Sequence, residues 1–161
     1  MDDWRARVDA VWADADREGE TATLEAIDAL VAERPAHDPV ALFEAAGARD
    51  FAGREAEAEP LYREALSSGL AEPERGQAII QLASTLRNLD RPSEALELLR
   101  DFLHDQPAHE LADAARAFAA LALFDDGLPA EALREALDAL AAHLPRYGRA
   151  VAAYAATLED A

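Results

Sequence analysis

The sequence predicts an all-α protein, a stack of antiparallel helical hairpins, and three observations carry that prediction. About a quarter of the 161 residues are alanine, the strongest helix former and a residue small enough to let helices approach closely. Apolar residues recur at helical spacing, as in Ile79, Leu82, Ala83 and Leu86, and no segment alternates at period two. One unit also repeats: Gly53-Arg54-Glu55-Ala56-Glu57-Ala58, Asp90-Arg91-Pro92-Ser93-Glu94-Ala95 and Gly127-Leu128-Pro129-Ala130-Glu131-Ala132 stand 37 residues apart.

Each element follows in order. Trp4, Val8, Val11 and Trp12 mark one face of a first helix, and Leu24, Ile27, Leu30 and Val31 mark its partner beyond a turn at Gly19, which is expected in the αL conformation. Before each repeated turn the pattern predicts a helix, over Pro39 to Ala52, Gln77 to Leu89 and Leu111 to Phe124. After each turn it predicts a second helix, over Glu55 to Ser67, Pro92 to His104 and Pro129 to His143. Pro92 and Pro129 suit first helical turns, and Asp90 is placed to cap the helix that follows it. Pro35, Pro107 and Pro145 close second helices. Beyond Pro145, Tyr147, Val151, Tyr154 and Leu158 share one side of a last helix, expected to cover the final apolar face. The expected organisation is one repeat domain over 1–161, with hairpins at roughly 2–35, 37–69, 71–106 and 108–144 and a capping helix over 146–159.

Composition narrows the function classes. With 33 acidic and 15 basic residues the formal charge is −18, a field that repels nucleic acid and anionic lipid. No apolar run reaches the length of a membrane span, and Met1-Asp2-Asp3-Trp4-Arg5 does not resemble a signal peptide, so a cytoplasmic protein is expected. Cysteine is absent, which removes thiolate chemistry and cysteine-based zinc sites. All basic residues are arginine, which with the alanine excess suggests a bacterial source.

The segment from Gly76 to Pro107 resembles a tetratricopeptide repeat: Leu82, Ala83 and Leu86 fill the large–small–large pattern of a first helix, and Ala95 and Leu99 part of the second. Phe102 stands where that family has a small residue, and Arg49 where the second unit should have a large apolar one. The stretch from Arg75 to Leu89 is similar to a bacterial subgroup with slightly elongated repeats. The resemblance implies a right-handed superhelix, an α-solenoid, whose concave face is lined by the first helix of each hairpin and grips a peptide or partner domain. It implies no chemistry, no cofactor and no enzyme activity.

In that register Phe43, Gly47, Asp50 and Phe51 fall on the groove side of the second unit, Gln77, Ile80, Ser84, Arg87 and Asn88 on that of the third, and Ala117, Leu121 and Phe124 on that of the fourth. Arg87 is the expected anchor for a partner's carboxylate. Arg134, on a second helix, is expected to point outward. The clamp by which some relatives hold a chaperone's terminal carboxylate needs Lys and Asn at positions that here are Phe43, Ile80 and Gly47. Expected is therefore a scaffold that binds a protein or peptide, with no nucleic-acid or membrane partner; alternatives are a ligand or signalling-peptide sensor using the same groove, and a self-associating unit, a homodimer built around Tyr147 and Tyr154.

Metal and catalytic motifs are set aside. Asp14, Asp16, Glu18, Gly19 and Glu25 fit the spacing of a calcium loop, but Thr21 takes the place of its apolar residue and no second loop pairs with it, so a hairpin turn is expected. His37, His104, His109 and His143 never fall at zinc-hydrolase spacing and read as hairpin-end residues.

Overall fold

The computed structural model describes residues 3–158, and all the regular structure there is helical. The helices are α1 (Asp3–Glu18), α2 (Glu20–Val31), α3 (Pro39–Phe51), α4 (Glu55–Ser67), α5 (Glu74–Asn88), α6 (Pro92–Asp105), α7 (Ala112–Asp125), α8 (Pro129–Ala141) and α9 (Gly148–Ala155). Residue 2, where the first hairpin is expected to begin, and residue 159, where the capping helix is expected to end, lie outside the described residues. The chain divides into two compact units, residues 1–85 and 86–161, with the division inside α5.

The repeat is written in the backbone as well as in the side chains. Gly53, Asp90 and Gly127 all take positive φ, at 65°, 58° and 80°. Behind them Arg54 N donates to Arg49 O, Arg91 N to Leu86 O and Leu128 N to Leu123 O, at 2.8, 2.9 and 2.9 Å. This is the six-to-one bond that ends a helix through a left-handed residue. Glycine adopts that conformation freely, and aspartate is among the few other residues that tolerate it. Asp90 is thus not the cap of α6: Arg91 holds the cap position without a side-chain capping bond, its guanidinium pairing with Glu94 instead, while Asp90 supplies the left-handed turn.

The same register sets the core. Ala58, Ala95 and Ala132 are buried at equivalent positions, as are Ala46, Ala83 and Ala120. Alanine at both sites lets paired helices come together without a gap. In the first unit α1 packs on α2, α2 on α3 and α3 on α4; in the second α6 packs on α7, α7 on α8 and α8 on α9. Trp4 ties α1 to α2 by donating its indole N–H to Leu30 O at 2.8 Å. Asp38 caps α3, its Oδ1 accepting from the amides of Val40 and Ala41 at 3.0 Å each.

Three further expectations change. Gly19 has φ 85° and ψ 168°, positive but extended and not αL, because a single residue separates α1 from α2. The calcium-like residues Asp14, Asp16 and Glu18 lie within α1 and Glu25 within α2, so they form no loop, and Asp14 pairs with Arg17 at 2.9 Å. In α9 the buried residue is Ala155, while Tyr147 and Tyr154 are exposed and Leu158 falls beyond the helix. Gly148 explains that docking: a Cβ there would come within 2.4 Å of Ala141 O, so only glycine lets α9 start against the end of α8.

Candidate functional site

A cleft of about 560 Å³ opens in the first unit, and the first helices of the hairpins build it. Arg5, Asp9 and Trp12 come from α1, Phe43, Glu44, Gly47 and Asp50 from α3, and Glu74, Gln77 and Gln81 from α5. Tyr62 of α4 reaches in from behind. Gly47 keeps the wall open beside Trp12, whose ring carbon would lie 3.5 Å from a Cβ added there.

Two carboxylates are embedded in this wall in different ways. Glu44 is 6% exposed, a charged residue inside the otherwise apolar run Ala41 to Ala46. Its oxygens accept from Arg5 Nη1 and from the Trp12 indole N–H, both at 2.7 Å. Arg5 also pairs with Glu74. Burial pushes the Glu44 pKa above the ordinary value, with Asp9 adding to the shift and the Trp12 and Arg5 donors opposing it. Asp50 Oδ2 accepts from Thr85 Oγ1 at 2.8 Å and lies 3.2 Å from the Tyr62 hydroxyl, which also reaches Gln81 Oε1 at 2.9 Å. Its pKa is likewise raised by burial, against the pull of those two hydroxyls. Desolvation and the neighbouring Asp50 keep Tyr62 protonated.

The residues expected to share one groove are distributed. Phe43, Asp50 and Gln77 line this cleft together with Gly47. Ile80, 7% exposed, belongs to the core, and Ser84 is half-buried. Phe51 packs edge-on against Trp12, with ring centres 6.1 Å apart. Arg87 and Asn88 line a different cleft, in the second unit, with Asp90, Pro92 and Asp125. The Arg87 fork is already occupied there: Nε and Nη2 bind Asp125 Oδ2 at 2.7 and 2.6 Å. Leu121 is 47% exposed on α7, beside Phe124 at 66%. Arg134 does not point free into solvent; it is half-buried and donates to Leu158 O, tying α8 to the segment after α9.

Sequence alone assigns no groove role to Arg5, Asp9, Trp12, Glu44, Tyr62, Glu74 or Gln81, which line the cleft. One signal was available: Glu44 interrupts an apolar helix face, and a lone carboxylate there must find donors. Arg49, the departure from the repeat pattern, is explained by Asp28, whose two oxygens it binds at 2.9 and 3.3 Å from α3 to α2.

Of the histidines, His37 pairs with Glu64 and His143 with Asp113, each at 2.7 Å. His109 accepts from the Leu111 amide and packs against Phe102. No group of three or more His, Asp or Glu among the described residues is arranged to hold a metal ion. No described helix is long and apolar enough to cross a membrane.

A family model, the tetratrico peptide repeat, matches residues 39–158. The chain belongs to the tetratrico peptide repeat family. No curated protein matches it. Two similar crystal structures come from a Podosopora anserina protein, named after kinesin light chain, with nearly identical TPR-like repeats. One aligns at TM-score 0.74 and 18% identity over 96% of this chain and 87% of that one. A variant of the same protein aligns at 0.73 and 18%, over 94% and 84%. At that identity the likeness shows the fold alone, an all-α helical repeat of the solenoid class. Repeats of this family generally mediate protein–protein interaction and are typically non-catalytic scaffolds.

Proposed function

We propose that this chain is a protein-interaction module that holds a segment of its partner in the cleft between α1, α3 and α5, without catalysing a reaction. The observation that carries the reading is the cleft itself: about 560 Å³, walled by the first helices of successive hairpins, with polar side chains set among aromatic ones. Such a mixture suits a peptide, whose backbone needs hydrogen-bond partners and whose side chains need apolar contact. Arg87 is not part of the proposed site, because a partner carboxylate would first have to displace Asp125.

The test uses Gln77, which is exposed and lines the cleft without supporting the core. Gln77→Trp should fill the cleft, leave thermal unfolding unchanged, and abolish capture of the native partner by the purified protein. Full capture by Gln77→Trp would remove the cleft from the binding surface.

A second reading, self-association, is favoured by one observation. Leu121, Phe124, Leu133, Leu140, Tyr147 and Tyr154 are the large apolar residues exposed in the second unit. Exposed apolar surface of that kind is a common basis for dimers. Sedimentation equilibrium of the parent and of Leu121→Ser/Phe124→Ser decides it: a dimer that the double variant breaks supports the reading, and a monomeric parent ends it.

A further inference from the structure

The cleft of the first unit has a charge problem of its own making. One arginine and four carboxylates line it: Arg5 against Asp9, Glu44, Asp50 and Glu74. Arg5 is spent within the wall, on Glu44 at 2.7 Å and on Glu74. Asp50 is left with hydroxyl donors only, from Thr85 and Tyr62, and it meets no cationic side chain among the described residues. Both hydroxyls reach the same oxygen, Oδ2, and neither neutralises the charge. A half-buried carboxylate in that state gains from a counter-charge brought in from outside, because water does not solvate it fully. Space for that group adjoins it: Trp12, half-buried, stands on the same cleft, and Gly47 leaves the wall between Trp12 and Tyr62 without a side chain.

We infer that this cleft takes an arginine side chain of the partner, its guanidinium paired with Asp50 and its plane laid against Trp12. The inference rests on the cleft being the partner site and names the chemistry that enters it. Arginine fits better than lysine because a planar guanidinium stacks on an indole while its edge still offers two donors to one carboxylate. The net charge of −18 draws any basic peptide toward the protein, but only a fitted counter-ion distinguishes one carboxylate from the 32 other acidic residues.

The probe is the capped pentapeptide Ala-Ala-Arg-Ala-Ala, titrated into nitrogen-15-labelled protein while the Trp12 indole N–H and the Gly47 amide are followed by NMR. Four more pentapeptides carry lysine, citrulline, leucine or glutamate at the centre. Saturable shifts with arginine, weaker binding with lysine and loss with citrulline, which keeps the shape without the charge, support the inference. Asp50→Asn, which retains an acceptor for Thr85 and Tyr62, should weaken the arginine peptide by about fivefold or more. Asp14→Asn on α1, which makes the same change in total charge at a residue already paired with Arg17, should not weaken it. Equal weakening by both variants would mean attraction by the overall field and would overturn the inference. So would citrulline binding as tightly as arginine. If leucine or glutamate peptides move the cleft signals and arginine does not, the cleft binds peptides and the choice of arginine is wrong. If no peptide moves them, the arginine inference fails, while the cleft reading is judged separately by Gln77→Trp.

Discussion

Asp50, Arg87 and Phe124 occupy one position of the repeat, 37 residues apart, and meet three different environments. In the first unit Asp50 is gathered into a wall by Tyr62 and Thr85. In the second, Arg87 is closed off by Asp125, and Phe124 stands 66% exposed. The backbone at these positions is alike, with a left-handed residue three places on in each case. A repeat therefore fixes where a side chain is presented, and its local partners decide whether it is available. In the first unit the cleft is stiffened by buried polar contacts, through Glu44, Asp50 and Tyr62. The helices of the second close on small side chains, Ala112, Ala115, Ala119, Ala122 and Ala139 among them, and leave large apolar residues outside.

The sharpest way to break this contrast is to remove the polar brace. Glu44→Ala leaves Arg5 and the Trp12 indole without their shared acceptor and should cost about 2–3 kcal/mol in denaturant unfolding. A loss below about 0.5 kcal/mol would mean that Glu44 does not hold the cleft wall together. The counterpart in the second unit is Ala95, fully buried in α6. Ala95→Leu should destabilise by about 1–3 kcal/mol through overpacking, and an unchanged midpoint would refute the close-packed seam.

The turns give a smaller and two-signed effect. Gly127→Ala forces a side chain onto φ 80° and should cost about 1 kcal/mol, whereas Asp90→Gly relieves φ 58° and should cost nothing or stabilise by a few tenths of a kcal/mol. Equal losses from both would mean that the Asp90 side chain contributes something that the shared turn geometry does not.

Titration separates the carboxylates by sign. Asp50 has a folded pKa above its unfolded one, so the stability tied to its protonated form is complete in acid and is lost as pH rises through the raised value. Asp38 runs the other way. Burial would raise its pKa, but the Ala41 and Val40 amides and Arg34 bring it below the ordinary value, and its contribution is lost as pH falls through that lowered value. Relative to the parent, Asp50→Asn should gain stability as pH rises from the ordinary aspartate range through the raised value of Asp50. A stability difference independent of pH would show that Asp50 ionises in the folded protein as it does in the unfolded chain.

Most of the fold was legible because its signals are local or periodic. The recurrence of Ala58, Ala95 and Ala132 placed the hairpins, and helix bounds came within three residues or fewer for α3 to α8. The site was legible only in part. Register put Phe43, Asp50 and Gln77 on one face, the one that lines the cleft of the first unit, because that depends on helical spacing alone. It could not show that Asp125 folds back on Arg87, that Glu44 draws in Arg5 and Trp12 across 39 and 32 residues, or that Arg134 reaches Leu158. Those pairings depend on which helices become neighbours and on which side chains are long enough to meet. The tyrosines of the last helix misled for a related reason: they share a side, but Gly148 lets α9 approach α8 along the face bearing Ala155.

The most direct test of the central claim, that the cleft of the first unit and not the apolar face of α7 receives the partner, is site-specific photo-crosslinking. A benzophenone amino acid is placed at Gln77 in one preparation and at Leu121 in another, both exposed positions on first helices of their hairpins. Each is then irradiated with the native partner bound. A partner adduct from Gln77 and none from Leu121 is the predicted result. An adduct from Leu121 alone would contradict the account and assign the binding surface to the second unit.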